Sequence, residues 1–381
     1  MSKSQELKYY FAKTTNPAIV LRKILAGHNS RVSISKASGL DRAAVTRSVA
    51  GLAEVRLVTE GNSAKNGGQG RPRRNLEILN QKNWIVSIHI GYHTITVGAV
   101  GIGGVVFDRT VAKHDQSADS VLSVCLKGIE QQITQQPYAP LGVGVTIGGR
   151  VSTQSQVILS MPDFNWHNLD LRAKLIDATG LPVVLSPIAL AYAQANLMYG
   201  LVDSSDTFGH LYIGSIVEYA LIQKGESWCG NGIATGILEH LPVKSLRGEY
   251  GTVRELVSDE GITALAKQRG LIEETFDFEE ILRIVRNSKD NTLQTSQLQQ
   301  LLDWRAENVA ALIQQLNEVV PVPKIVLSAS ITRQPDGVAT VRKAIQDNWS
   351  CPSRPQIISD EKISRSGMLA PTAAFIGKLI A

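Results

Sequence analysis

The chain has 381 residues, too many for a single hydrophobic core, and 43% hydrophobic with 19% charged residues excludes a disordered polymer. The net charge of +5 is uneven: residues 1–80 carry 14 Lys and Arg against 5 Asp and Glu, and the other 301 carry 25 against 29. No apolar run reaches the roughly 18 residues of a membrane span, no apolar signal-peptide core follows Met1, and the scattered Cys125, Cys229 and Cys351 fit a reducing cytoplasm without disulfides or a metal cluster.

The basic first eighty residues point to a polyanion-binding unit, or else to a solvated basic face. Asn16 before Pro17 predicts a helix start, a capping side chain with proline at the first helical position. Ile19, Val20 and Ile24 form its inward stripe, and Gly27 suits a left-handed end. A second helix is predicted over 31–38, with Ile34 and Ala37 inward. Gly39 then makes a turn, Leu40 plugs the core, and Asp41 caps a third helix with Val45, Val49 and Leu52 on one buried face.

The opposite face of that third helix carries Arg42, Ala43, Thr46 and Arg47, the positions from which a recognition helix meets base edges in the major groove. Two strand-like runs, 57–60 and 76–79, flank a glycine-rich segment with Lys65, Arg71, Arg73 and Arg74. Together these predict a winged helix-turn-helix over residues 1–80, all-α with a small β wing, whose arginines enter the minor groove of double-stranded DNA. The other reading is a trihelical unit that docks to protein.

After Asn83 the pattern becomes α/β. Strands are predicted at 85–90, 94–100 and 104–107, a helix at 118–135, a strand at 141–146, a helix at 170–179, a strand at 183–185 and a helix at 189–199. The theme repeats loosely with strands at 210–213, 218–224 and 324–327, a long helix at 296–316 and a last helix at 370–380. Three antiparallel strands followed by αβ units imply a mixed sheet.

Several short motifs in fixed order then carry a family resemblance: Asn16 with Val20-Leu21, Ser38-Gly39-Leu40, Gly70-Arg71-Pro72, Leu141 to Val145 with Gly148, Phe164-Asn165-Trp166, Gly180 to Val183, and Glu239-His240-Leu241-Pro242-Val243. On these the chain resembles the winged-helix repressor branch of the ROK family (repressors, open reading frames and kinases), similar to xylose and N-acetylglucosamine-type repressors. The resemblance implies an actin- or hexokinase-like, ribonuclease H-like body of two lobes, 83–200 plus 368–381 and 201–367, with a sugar site in the cleft. Arg56 departs from the pattern, standing where glycine usually precedes the wing strand.

The family's kinase chemistry is eroded. His89-Ile90-Gly91-Tyr92-His93 replaces an Asp-x-Gly-Gly-Thr phosphate loop, and Glu218 stands in a second glycine-rich loop, where it would repel phosphate. Pro187 occupies the position of the carboxylate base that accepts the hydroxyl proton. Ser245, Arg247 and Thr252 stand at three zinc thiolate positions, although His240 is kept. Ile237 and Arg254 replace two sugar-binding glutamates, and Arg254 with Arg247 would favour an anionic effector.

The expectation is therefore a non-enzymatic, cytoplasmic DNA-binding regulator without metal or cofactor. Its expected partners are double-stranded operator DNA, a sugar or anionic sugar-derivative effector, and its own copies in a homodimer or homotetramer, with no membrane. Effector candidates are Asn165, Trp166, Ser186, His240 and Arg254; His240 is either structural or a ligand contact, and Trp166 either core or a ligand stack. The alternatives are a protein-interaction module and a carbohydrate kinase.

Overall fold

Leu7 and Phe11 lie one helical turn apart and are buried, anchoring α1 (Lys3–Lys13). Its apolar stripe is too thin to announce a helix in the sequence. The computed structural model describes residues 2–13, 15–61, 75–287, 292–349 and 353–381. The cap expected at Asn16 is displaced, because α2 (Thr15–Leu25) already includes it; Pro17 sits in the first turn, where a missing N–H leaves no helix bond unmade.

The next elements follow their local chemistry closely. The Ser30 hydroxyl accepts the Ser33 N–H to start α3 (Arg31–Ser38), and Gly39 at φ 72° ends it. The Asp41 carboxylate accepts the Ala44 N–H at 2.8 Å and opens α4 (Arg42–Glu54), in which Val45, Val49 and Leu52 are buried. β1 (Val58–Glu60) and β2 (Leu76–Ile78) pair antiparallel, and the Arg31 guanidinium meets Glu60 to tie α3 to this hairpin. Lys65, Arg71, Arg73 and Arg74 lie outside the described residues.

The body begins with β3 (Trp84–Ile90), β4 (Thr94–Gly101), β5 (Val106–Lys113), α5 (Ala118–Gln135) and β6 (Val143–Ile147). A small sheet of β7 (Arg150–Val151), β8 (Ile158–Met161) and β9 (Trp166–Leu169) follows, then α6 (Leu171–Thr179), β10 (Val183–Pro187) and α7 (Ile188–Met198). The main sheet runs β10-β6-β3-β4-β5, with β3, β4 and β5 antiparallel and β6 and β10 parallel to β3 and to each other. β5 starts two residues later than the 104–107 expectation and runs on to Lys113. It is an edge strand with a largely solvated second half, so its sequence lacks the alternation that marks a half-buried strand.

A second copy of the arrangement follows in β11 (Phe208–Ile213), β12 (Val217–Gln223), β13 (Glu226–Ser227), β14 (Thr235–Ile237), β15 (Pro242–Lys244) and β16 (Tyr250–Thr252). Then come α8 (Val253–Val257), α9 (Asp259–Gln268), α10 (Phe278–Asn287), α11 (Leu293–Val319), β17 (Lys324–Ala329), α12 (Ser330–Arg333), α13 (Gly337–Asn348), β18 (Gln356–Ser359), α14 (Glu361–Ser366) and α15 (Leu369–Leu379). The sheet order β13-β12-β11-β17-β18 mirrors the first lobe, with β14 added against β12. No helix among the described residues is long and apolar enough to cross a membrane.

One hydrophobic core runs from the N-terminal helices into the body. Leu7, Phe11, Val20, Ile24 and Leu52 belong to the same buried cluster as Ile188 and Ala195 of α7 and Leu369 and Ile376 of α15. The N-terminal unit is thereby seated on the first lobe.

Arg56 ends the turn after α4 at φ 59°, the left-handed conformation that glycine adopts without steric cost, and its carbonyl accepts the Asn83 side-chain N–H at 2.8 Å. Its side chain is exposed. Arg56→Gly is expected to raise the unfolding free energy by about 1 kcal/mol in urea denaturation, because a Cβ in this conformation costs roughly that much. A destabilised variant would contradict this account of the turn.

Candidate nucleic-acid interface and interlobe cleft

The amphipathic period of α4 divides its residues cleanly. Val45, Val49 and Leu52 point into the core, and Arg42, Ala43, Thr46 and Arg47 are exposed on the other side. The Thr46 hydroxyl donates to the Arg42 carbonyl at 2.8 Å, within the helix. Neither Arg42 nor Arg47 has a carboxylate partner among the described residues, so both charges are free to meet an anion.

The interlobe cleft is organised around Glu218 of β12. It is fully buried; Oε1 accepts the Gly149 N–H at 2.8 Å and Oε2 accepts the Ala189 N–H at 3.3 Å. Ala189 lies in the first turn of α7, whose cap position is Pro187 and has no capping side chain. The second lobe thus supplies across the cleft the acceptor that Pro187 lacks, at the positive end of the α7 dipole. Ile216 closes the same region, since a Cβ at Gly148 would collide with Ile216 Cδ1.

A second carboxylate, Glu239, is buried beside Arg254 of α8. The Arg254 guanidinium donates to Asp163 Oδ1 at 2.7 Å and lies 3.7 Å from Glu239 Oε1, linking the second lobe to the turn ahead of β9. Burial pushes Glu218 up to about 8, with the Gly149 and Ala189 N–H groups opposing it. Burial and then Asp163 push Glu239 up to about 7, with Arg254 opposing.

Beside this network a cavity of about 400 Å³ is lined by the turn between β3 and β4, by Gly214 to Ile216, and by Asp259, Glu260 and Arg333. The family resemblance would put nucleotide phosphates here, and the residues present do not fit that group. His89 bonds to Thr146 Oγ1 at 3.0 Å, and burial lowers it to about 4, so it is a neutral imidazole. The Asp259 carboxylate is taken by the fully buried Arg305 at 2.5 Å. His93 Nε2 lies 3.2 Å from Glu260 Oε1, joining the lobes at the mouth.

The zinc positions are equally committed. Ser245 Oγ donates to Glu249 at 2.8 Å, Arg247 forms a two-pronged pair with Glu307 at 2.7 and 3.0 Å, and Thr252 caps α8 in a box with Glu255. No group of three or more His, Cys, Asp or Glu side chains arranged to hold a metal occurs among the described residues.

Of the effector candidates only Arg254 joins the cleft network. Trp166 is buried, donates from Nε1 to the Gln116 carbonyl at 3.0 Å and packs edge-on against Phe164, so it is core rather than a ligand stack. Asn165 is an exposed left-handed residue ending a 3-10 turn, and His240 is exposed rather than buried or cleft-lining. Ser186 is buried and lines a different cavity.

Sequence spacing did not single out Asp163, and it placed Glu218 and Glu239 in motifs without showing that they build the cleft. Glu239 stands two positions after Ile237, where a family carboxylate was sought, so the acid is shifted along the chain.

The two buried acids make stability depend on pH. In the unfolded chain each titrates near its ordinary value of 4.5; in the folded protein each keeps its proton to about 8 and about 7. The folded state therefore holds more protons between those limits, and stability falls as pH rises through them. The drop in Tm between about pH 6 and about pH 8 is expected to shrink in Glu218→Gln. An unchanged drop would place the titrating group elsewhere.

Comparison with known proteins agrees with this architecture. A transcriptional regulator of Mycobacterium tuberculosis is 28% identical over 346 residues, 86% of this chain and 77% of that protein. The xylose repressor of Bacillus subtilis is 22% identical over 298 residues, 75% of this chain and 76% of its own length. A solved ROK family transcriptional regulator, a homolog of the E. coli MLC protein, matches 97% of this chain and 98% of its own with a TM-score of 0.67 at 22% identity. A ROK family glucokinase from Streptomyces griseus, solved with glucose and AMPPNP, matches 76% of this chain and 98% of its own with a TM-score of 0.64 at 18% identity. That kinase match shares the fold of the body. The model of the ROK family itself matches residues 85–367, most of the chain, and the chain belongs to the ROK family.

Proposed function

We propose that this chain is a DNA-binding transcriptional repressor, with a winged helix-turn-helix over residues 1–80 and a non-catalytic two-lobed body, 83–200 plus 368–381 and 201–367. The observation that carries the reading is the free basic face of α4. Arg42 and Arg47 project from an exposed surface, without an ion-pair partner among the described residues, on a unit with 14 basic and 5 acidic residues. Arg42, Ala43, Thr46 and Arg47 meet bases or phosphates in the major groove, and Lys65, Arg71, Arg73 and Arg74 add contacts to the adjacent minor groove. Relatives named as regulators and xylose repressors support the same reading.

Two positions count against activation of a sugar hydroxyl: Pro187 has no acceptor side chain, and Glu218 is sealed against backbone N–H groups. Its role is to bind a sugar or anionic sugar-derivative effector, with Arg254 in the cleft, and to pair copies of the chain. A homodimer doubles the contacts of one small head and matches a pseudo-palindromic operator.

Fluorescence anisotropy on an operator duplex tests this. Arg47→Ala is expected to cost on the order of 1–3 kcal/mol if it reads a base, and the loss of a phosphate contact at Arg42 should lower the salt slope by about one. Equal affinity and equal slope in both variants would remove α4 from the interface.

A further inference from the structure

A second cavity, of about 950 Å³, lies where the N-terminal unit meets the body, and α7 separates it from the interlobe cleft. Ile188 of α7 faces the cleft cavity, whereas Leu190 and Gln194 of the same helix line this one. Its walls come from three parts of the molecule: Arg22 and Lys23 of α2, Gln194 and Leu197 of α7, Lys378 of α15, and Lys224 in the turn after β12. Ser186 lines it from the edge strand β10.

The polar groups here are in part unspent. The side chains of Arg22 and Gln194 make no hydrogen bond or ion pair among the described residues. Arg22 is an exposed residue, and partial burial of its side chain lowers the guanidinium from its ordinary value. Four lysine and arginine side chains line the space against two acids, Asp203 and Glu226. Asp203 is already engaged, since its Oδ1 accepts the Ser205 N–H at 2.9 Å and the Ser205 hydroxyl at 2.8 Å. Lys23 Nζ donates to Ser204 Oγ at 3.2 Å and so reaches across from the head to the body.

A guanidinium, an amide and a hydroxyl on the walls of one cavity suit a phosphate or carboxylate, and Leu190, Leu197 and Met198 line the same space for a less polar body. The volume is that of a small-molecule site. We propose that this junction cavity is a second ligand site, specific for a small molecule bearing a phosphate or carboxylate group and gripped by Arg22. Because α2 shares a core with α4, the occupant touches the element that seats the recognition face. That consequence for DNA rests on the function proposed above. The test reads ligand binding alone, so the two can fail separately.

Titration calorimetry and thermal shift on the full chain would use glucose 6-phosphate and gluconate as anionic probes and glucose as the neutral control. At least one anion is expected to bind saturably, to raise Tm, and to lose about tenfold or more in affinity in Arg22→Ala and in Lys378→Ala. The same binding should persist in Arg254→Ala, which disables the cleft instead. No saturable binding of either anion up to about 10 mM would overturn the proposal. So would affinity unchanged in Arg22→Ala, binding abolished by Arg254→Ala, or glucose binding as tightly as the anions at the Arg22-dependent site.

Discussion

A buried carboxyl group that accepts two backbone N–H groups holds the body of this protein in its present form. Glu218 leaves the second lobe and ends on Gly149 and Ala189 of the first, so the lobes meet through a polar contact that water does not reach. Losing it would leave the first turn of α7 without an acceptor, because Pro187 brings none. The contact also takes Glu218 out of the chemistry of the cleft. A base for phosphoryl transfer must reach a substrate hydroxyl, and this carboxylate reaches only the protein's own backbone. Arg254 reinforces the arrangement by holding Asp163 and lying beside Glu239, in a place where the sequence pattern of the family would put carboxylates free to read hydroxyls.

The seating of the N-terminal unit is a second constraint. A head joined by a bare linker would be indifferent to events in the body. Here Leu7, Phe11 and Ile24 share a core with α7 and α15, Gly200 packs against the Ala26 carbonyl, and Lys23 reaches Ser204. α7 touches everything of consequence: its first turn receives Glu218, one side faces the cleft, and another lines the junction cavity. An occupant that binds one arrangement of lobes better than another would bias the head by its differential affinity.

How much of this was legible in the sequence follows from how local the signals are. Caps and turns depend on a few adjacent atoms, so Asp41, Gly39 and the 31–38 helix were readable, as were the long helix and the buried strands. α1 was not, because only Leu7 and Phe11 mark its apolar side, and β5 was legible only in its first residues, because an edge strand needs little hydrophobic alternation. The cleft was half legible. Pro187 and His89 identify themselves as unfit for catalysis by their side chains alone. Glu239 and Asp163 become partners of Arg254 only through folding, and Glu218 was readable as an acid in the wrong loop but not as a cap for a helix in the other lobe. The alternatives at Trp166 and His240 stayed open in the sequence because neighbours along the chain say little about which side of a surface a ring will take.

The central claim, that this chain reads DNA sequence through α4, is tested most directly by selecting bound duplexes from a randomised pool with the full-length protein. The account predicts enrichment of an inverted repeat whose half-sites are spaced by about 10–10.5 base pairs or a multiple, and no such enrichment with Arg42→Ala/Arg47→Ala. Recovery of no preferred sequence by the unaltered chain, or of the same sequence by the double variant, would contradict it.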